Sequence, residues 1–456
     1  MGAPILVRRS ALLVDVAALS TAKALLAVWL LHRGFSHISD DDYSRVVIAE
    51  LFAGAPRLDP SGTSWLPFPF WLTGGVMLAV GRSLAVARGV AVVLGVLSIA
   101  PVYAALRSIG ATRVVAAVVV AIGIMMPWSA WLSVATVPDG YCGALIAAGA
   151  LSLGAGGDRR LGAASLLVAS LSRYEAWPVC AVFACVCAGG SLGRVPRRAR
   201  IEALAAALVA AAGPLLWMLW NAHSHGSATH FLARVATYRQ RIGASGGPLA
   251  EKILDYPRGI VAFAPHALFL GAIGLASLGE RAMRRRWLAP LAATLALVAF
   301  LVVGDVADGA PTHHPERALL AVAWMLAAFG VDAARALAAR WAWAKPQREM
   351  FVVGAAVACG VAWTAYVADE WDEFPGRSAL ESRVAQVQHG LQMRARGVAR
   401  FEVTPCAYEH FALLAAYGAP ERAITKPASP REDARQDVTN ECPAVVELAS
   451  AVTAPE

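Results

Sequence analysis

Three consecutive carboxylates, Asp40, Asp41 and Asp42, follow closely on the first long apolar run of the sequence. Like charges held this close raise the basicity of at least one carboxylate, which suits a general base that deprotonates an acceptor hydroxyl or amine. The competing interpretation is structural, because acids at a helix start satisfy free N–H groups and the helix dipole. A cap needs one or two acids rather than three, and the residue types alone leave both interpretations open.

The residues after this acidic triplet predict an amphipathic helix. Val46, Val47 and Phe52 fall mostly on one helical side, whereas Arg45 and Glu50 are expected to point elsewhere. We therefore expect a helix that lies on the outer membrane surface, with the acids at its N-terminus.

Two further charged segments stand where apolar runs meet. Arg173 and Glu175 would lie at membrane depth, where charges are costly and usually pair with each other or line a cavity. They are either a mutual ion pair or, in the functional interpretation, Arg173 binds a lipid-linked phosphate with its planar guanidinium. Asp139, in a Pro-Asp-Gly turn, is favoured slightly as an ordinary helix cap.

A pair of histidines, His313 and His314, stands just before another apolar run, together with Arg317. Two adjacent histidines do not have the spacing of a metal site. The simplest interpretation of Arg317 is an anchor at the membrane interface, and a functional one depends on the family resemblance given below.

The composition is that of an integral membrane protein. Hydrophobic residues make up 58% of the chain and charged residues only 16%, against about a quarter charged in soluble domains. The net charge is +8, but the arginines cluster in short connections between apolar runs, which is typical of cytoplasmic loops. Nucleic-acid binding would need a contiguous basic face on a soluble domain, so it is not expected.

The apolar runs predict about eleven transmembrane helices, since a bilayer core needs roughly 20 apolar residues. An N-terminus in the cytoplasm then places every short arginine-rich connection inside and the C-terminus outside. This agreement depends on two crossings within 161–190, which put the turn with Arg173 outside. The predicted spans are 11–31, 84–106, 113–131, 139–156, 161–173, 176–190, 201–220, 258–278, 287–303, 317–339 and 349–367.

We divide the chain into a transmembrane domain, 1–368, and an extracytoplasmic domain, 369–456. The outer first loop is 32–83, and its segment Trp65–Gly81 is interpreted as an interfacial helix. The alternative, that Trp65–Gly81 is an extra crossing, would invert everything downstream.

The C-terminal domain is predicted to be a small α/β unit. It has a strand pattern around Phe401, a helix that ends at Gly418, and a second helix or strand within 444–452. Cys406 and Cys442 could form a disulfide if this domain faces an oxidising compartment.

In order and sidedness these segments resemble the polytopic GT-C glycosyltransferases, most closely the protein O-mannosyltransferase and aminoarabinose-transferase branch. The resemblance covers most of 1–370 and lies in an acidic pair, a small-residue helix, a Pro-containing segment, and a Gly shortly before an Arg. The matching residues are Asp40-Asp41 or Asp41-Asp42, Ala49, Gly54, Pro67 or Pro69, Gly81 and Ala87-Arg88.

This resemblance implies an all-α GT-C fold in the inner (cytoplasmic) membrane that moves a sugar from a polyprenyl-phosphate donor to an extracytoplasmic glycan, lipid or protein. An acid of the triplet, Asp41 before Asp40 and Asp42, would be the general base. The residues implied at the donor phosphate are Arg173, Arg317, His314 and His313.

The resemblance also implies that Asp139 and Glu175 assist the acceptor or a metal, and adjacent acids could hold a divalent ion such as Mg or Mn. The partners implied are the lipid donor and the membrane lipids. A transporter or lipid flippase predicts charges at mid-membrane and two matching halves, neither of which the sequence has. A non-catalytic scaffold of the same fold is the third hypothesis.

Overall fold

The structure is a computed structural model that describes residues 3–62, 64–193, 196–241, 248–307, 314–340, 344–366, 371–404, 410–425 and 444–448. The first helices are α1 (Ala3–His32), α2 (Asp41–Gly54), α3 (Phe68–Val80), α4 (Leu84–Leu97), α5 (Ile99–Ser108), α6 (Arg113–Met125), α7 (Pro127–Leu132), α8 (Asp139–Leu151), α9 (Arg159–Ser170) and α10 (Ala176–Ser191). They are followed by α11 (Arg197–His225), α12 (His230–Arg241), α13 (Leu249–Phe263), α14 (Pro265–Ser277), α15 (Arg281–Val306), α16 (Pro315–Arg340) and α17 (Lys345–Tyr366).

The C-terminal part is mixed. Its elements are α18 (Leu380–Ala395), β1 (Phe401–Thr404), α19 (His410–Tyr417), β2 (Ala423–Thr425) and β3 (Ala444–Glu447). The strands form one sheet in the order β2-β1-β3, in which β1 pairs parallel with β2 and antiparallel with β3. The predicted strand at Phe401 is confirmed, and so is the helix that stops before Gly418, whose φ of 81° suits glycine. Residues 444–447 are a strand, while Cys406 and Cys442 lie outside the described residues.

Each predicted apolar run overlaps at least one helix, and three runs, 84–106, 113–131 and 258–278, overlap two helices each. The helices also differ in length. Within the described residues, five segments are long and apolar enough to cross a membrane, while α3, α6, α8 and α10 are apolar but shorter. The count of eleven crossings therefore stays a prediction. The five long segments are Leu12–His32, Leu84–Ser108, Arg197–His225, Arg281–Val306 and Pro315–Arg340.

The predicted span 258–278 is not one straight helix, and its crossing of the membrane stays a prediction. The chain bends by 101° between α13 and α14, so this region is a broken span or a re-entrant loop. Pro265 is the first residue of α14. Proline lacks a backbone N–H and disfavours helical geometry in the residue before it, which explains the break at Ala264.

Helix α16 lies at the centre of the bundle. An apolar stretch of 18 residues in this helix is 83% buried. The helix packs against α14, α8 and α6. Small residues allow these close approaches: a side chain at Gly123 would collide with the Trp324 ring, and one at Gly330 would collide with Leu270. Arg317 projects from the first turn of this closely packed helix.

The outer first loop and the C-terminal elements share one apolar cluster. Tyr43 and Val47 of α2 pack in the same cluster as Phe401 of β1 and Leu413 of α19. This packing corrects the expected orientation of α2, because Arg45 and Glu50 are only 4% and 0% exposed. Helix α2 is covered by α3 on one side and α19 on another, so it has no fully solvated face for these charges.

Candidate functional site

Four distant parts of the chain meet where three of the helices begin. Asp41 is the first residue of α2, Asp139 is the first residue of α8, and Arg317 lies in the first turn of α16. Arg173 belongs to the tight connection between α9 and α10. The sequence-predicted acids and arginines therefore converge, as a common site requires.

Arg317 holds two of these acids at once. Its Nε and Nη2 donate to Oδ1 and Oδ2 of Asp139 at 3.2 and 3.1 Å, a bidentate pair. Its Nη1 lies 3.3 Å from Oδ2 of Asp41. The guanidinium is buried whereas the Asp41 side chain keeps 42% of its surface exposed. Asp41 is therefore oriented by a fixed cation and remains open to a substrate.

Asp139 joins the two arginines that the sequence analysis selected. Its Oδ1 also lies 3.2 Å from Nη2 of Arg173. The favoured interpretation of Asp139 as a helix cap is wrong, because α8 has no side-chain cap hydrogen bond and both carboxylate oxygens face guanidiniums. Arg173 also pairs with Glu175, through Nε at 3.1 Å and through Nη2. The mutual ion pair is therefore present, and it is one part of a larger charge network.

Arg45 is the functional candidate that sequence reasoning missed. Its Nε and Nη1 are buried and have no hydrogen-bond partner among the described residues. The guanidinium lies over the Trp65 ring at 4.3 Å and near Phe70 at 5.7 Å. Burial lowers the pKa of Arg45 to about 10, against the opposing effect of Asp41. It therefore stays charged at neutral pH, and a buried unpaired cation costs several kcal/mol unless an anion joins it.

The signal for Arg45 was present in its spacing. It follows Asp41 by four residues, and side chains at i and i+4 share one face of a helix. Once Asp41 is assigned to the site, Arg45 belongs beside it.

The three acids of the triplet have three different environments. Asp42 is 3% exposed and accepts hydrogen bonds from the backbone N–H groups of Ile38 and Thr136 at 3.0 and 2.7 Å. Asp40 receives two hydrogen bonds from Arg383 of α18, at 2.6 and 2.9 Å. Mutual crowding is therefore not what distinguishes these acids, since each has its own donor. Among the described residues, the Asp41 carboxylate differs from the other two in that one longer contact, to Arg317, holds it.

Of the two adjacent histidines, the structure describes His314, whereas His313 lies outside the described residues. His314 is half-buried, has a φ of 56°, and places its ring 5.6 Å from that of Trp128. Its carbonyl accepts from the backbone N–H of Arg317. His314 thus shapes the entry of α16, and its contact with a donor phosphate stays a prediction.

The acids do not fit a metal site. Among the described residues, no three His, Cys, Asp or Glu side chains are grouped so that they could hold an ion. The oxygens of Asp42 and Asp139 already accept from backbone N–H groups and from arginines.

No protein-family model and no curated protein matches the sequence. Two solved structures of GT-C superfamily members are similar to this chain. One is an oligosaccharyltransferase of Archaeoglobus fulgidus in complex with Zn and sulfate, at 13% identity and a TM-score of 0.47 over 91% of this chain and 62% of that one. The other is ArnT from Cupriavidus metallidurans bound to undecaprenyl phosphate, at 15% identity and a TM-score of 0.45 over 88% of this chain and 75% of that one.

The chain spans 62% of the length of the oligosaccharyltransferase. Likeness at this level assigns no residue a role, so the roles below rest on the side chains of this protein.

Proposed function

We propose that this protein is a membrane glycosyltransferase that moves a sugar from a polyprenyl-phosphate donor to an acceptor on the extracytoplasmic side. One observation carries the proposal: a half-exposed carboxylate, Asp41, lies 3.3 Å from the buried guanidinium of Arg317. Asp41 shares a face of α2 with Arg45, two of whose nitrogens have no hydrogen-bond partner among the described residues. A base and a phosphate-binding group are thereby available within one site.

In the reaction, the acceptor hydroxyl or amine attacks the anomeric carbon of the donor sugar. Its proton passes to Asp41 as the new bond to that carbon forms. The bond between the anomeric carbon and the phosphate oxygen breaks, and the phosphate leaves with the electron pair. Arg45 and Arg317 stabilise the charge that develops on this leaving group.

Arg45 is the stronger phosphate ligand of the two on geometric grounds. Arg317 already makes three contacts with carboxylates, whereas two nitrogens of Arg45 have no partner among the described residues. An incoming phosphate would satisfy those nitrogens with charge-assisted hydrogen bonds. Arg173, Glu175 and Asp139 then act as positioning residues, because they hold the orientation of Arg317.

The remaining acids orient the helix that bears the base. Asp42 ties α2 to Thr136, and Asp40 ties it to Arg383 in the C-terminal part. These bonds fix the first turn of α2, so Asp41 keeps one direction. Placement in the inner membrane, with the N-terminus in the cytoplasm and this site outside, completes the proposal and follows the arginine-rich loops.

The test is sugar transfer by the full chain in membranes, with polyprenyl-phosphate donors that carry radiolabelled hexoses or pentoses. We expect Asp41→Asn to lower transfer by about 100-fold or more, the usual share of a general base. Asp59→Asn, an acid of the same outer loop that accepts hydrogen bonds from Ser61 and Gly62 of its own turn, is the matched control and should keep its activity. Full transfer by Asp41→Asn would exclude Asp41 as the base. Absence of transfer by the wild type with all these donors would exclude the donor class.

A further inference from the structure

A second basic site lies at the opposite end of α2 from Asp41. It is a cavity of about 200 Å³ lined by Arg82, Arg394, Arg422, Tyr417 and Gly418. About 20 Å of helix separates the two ends of α2, at 1.5 Å per residue. The reaction proposed above uses none of these residues.

The three arginines come from separate parts of the chain. Arg82 precedes α4, Arg394 lies in the last turn of α18, and Arg422 follows α19. Arg394 donates to the carbonyl of Arg82 at 3.0 Å, and Arg422 lies 3.5 Å from the Tyr417 hydroxyl. The fold thus brings guanidiniums from the outer first loop and the C-terminal part to a single cavity.

The cavity carries a net positive charge. Arg82 pairs with Glu421 at 2.9 Å, while Arg394 contacts a backbone carbonyl and Arg422 contacts the Tyr417 hydroxyl, both of which are neutral. Glu50 lies close enough to interact with Arg82 and Arg394, but it is 0% exposed and burial raises its pKa well above the ordinary value. Its carboxyl therefore keeps its proton to higher pH than an exposed glutamate does, and it offsets the arginines less.

Gly418 keeps the floor of the cavity open. Its φ of 81° is one that other residues rarely adopt, and a Cβ there would lie 2.8 Å from Nη1 of Arg394. A side chain at this position would push Arg394 out of place. Both the backbone conformation and the space thus favour glycine at this point.

The site stands at the rim of an apolar surface. Arg82 precedes the segment Leu84–Ser108, which is long and apolar enough to cross a membrane. Leu78 and Val80, just before Arg82, are 56% and 65% exposed. Arginines at the end of such a surface lie at the depth of lipid headgroups, where phosphates are found.

We propose that this cavity is a second anion site, which binds the phosphate of a lipid headgroup at the outer membrane surface. Planar guanidiniums suit the oxygens of a phosphate. Three of them line this cavity, whereas Glu421 balances only one positive charge. Glycosyl transfer at Asp41 is independent of this proposal, so either can fail without the other.

The experiment measures lipid binding by the full chain in nanodiscs, with native mass spectrometry as the readout. Discs of phosphatidylcholine alone are compared with discs of an equal mixture of phosphatidylcholine and phosphatidylglycerol. We expect the wild type to retain phosphatidylglycerol, and Arg394→Gln with Arg422→Gln to lower that retention about tenfold, as the loss of about 1.4 kcal/mol would. Arg377→Gln, an exposed arginine of the same C-terminal part, is the control and should behave as the wild type.

A second arm uses inorganic phosphate with protein in phosphatidylcholine discs. Saturable binding of inorganic phosphate, with no preference for phosphatidylglycerol, would overturn the lipid source of the anion. Equal retention by the wild type, the double variant and Arg377→Gln would overturn the site itself. Thermal unfolding of the double variant in phosphatidylcholine discs shows whether it is folded. A folded double variant that still retains phosphatidylglycerol counts against the proposal.

Discussion

Asp41 and Arg317 lie 3.3 Å apart although 276 residues separate them in the chain. The first belongs to the outer first loop and the second to the central helix of the bundle. This contact ties the half-exposed acid to a helix whose apolar stretch is 83% buried. A base that must face one point of a substrate benefits from such a fixed partner.

Asp42 is predicted to matter for stability more than for chemistry. The buried Asp42 carboxylate accepts hydrogen bonds from the backbone N–H groups of Ile38 and Thr136. Asp42→Asn puts an amide in its place, and an amide has one oxygen to accept these two hydrogen bonds. We expect the free energy of unfolding to fall by about 1–3 kcal/mol, the effect of an unsatisfied buried group. Thermal unfolding in detergent measures this loss. Asp41→Asn should unfold near the wild-type temperature, and a larger loss in Asp41→Asn than in Asp42→Asn would contradict these roles.

Arg383 is predicted to act through Asp40. Arg383→Gln leaves the Asp40 carboxylate without its bidentate partner and loosens the first turn of α2. We expect kcat to fall about tenfold, which corresponds to roughly 1.4 kcal/mol on the transition state, with little change in the KM of the donor.

The double variant Arg383→Gln with Asp40→Asn separates positioning from a general structural loss. Removing the second charge relieves the unpaired carboxylate, so it should recover much of the unfolding temperature lost in Arg383→Gln. If the loss of unfolding temperature in the double variant equals the sum of the losses in Arg383→Gln and Asp40→Asn, the two side chains are not coupled.

The apolar runs of the sequence predicted the helices because burial in a bilayer demands long uninterrupted apolar segments. The same reasoning could not find the break at Ala264, since a run of apolar residues looks alike whether straight or bent. The apolar pattern of α2 predicted that Arg45 and Glu50 point away from the apolar side, because it assumed that only one side of the helix is buried. Helix α19, more than 350 residues later, covers the other side, and no local pattern indicates such a partner.

The candidate site was predictable in part for a related reason. Charges at membrane depth are rare and costly, so Arg173 stood out from residue type and position. Asp41 and Arg317 were selected by the family resemblance. Asp139 was assigned to a cap because Pro-Asp-Gly is an ordinary turn. Its two arginine partners come from other helices, and Arg383 reaches Asp40 over a separation of 343 residues. Such pairs depend on tertiary packing alone.

Arg45 is predicted to lower the stability of the fold and to strengthen binding of the donor. Arg45→Met removes a buried cation without a hydrogen-bond partner among the described residues, so the variant should unfold at the wild-type temperature or above it. The KM of the polyprenyl-phosphate donor should rise about tenfold as a charge-assisted contact is lost. Arg57→Met, which removes an arginine of the same loop that bonds to the Pro60 carbonyl, is the control. An unchanged donor KM in Arg45→Met would remove Arg45 from the phosphate site.

Glu50 is predicted to make stability fall as pH rises. Burial raises its pKa in the folded protein well above the ordinary value of 4.5. Above that value the unfolded chain loses the proton while the folded chain keeps it, so each step up in pH favours unfolding until the folded carboxyl also ionises. Glu50→Gln keeps the shape and cannot ionise, so it should raise the unfolding temperature at neutral pH and flatten its dependence on pH. Thermal unfolding of both proteins across acidic, neutral and alkaline buffers checks this, and parallel curves for the two would show that Glu50 is ionised in the fold.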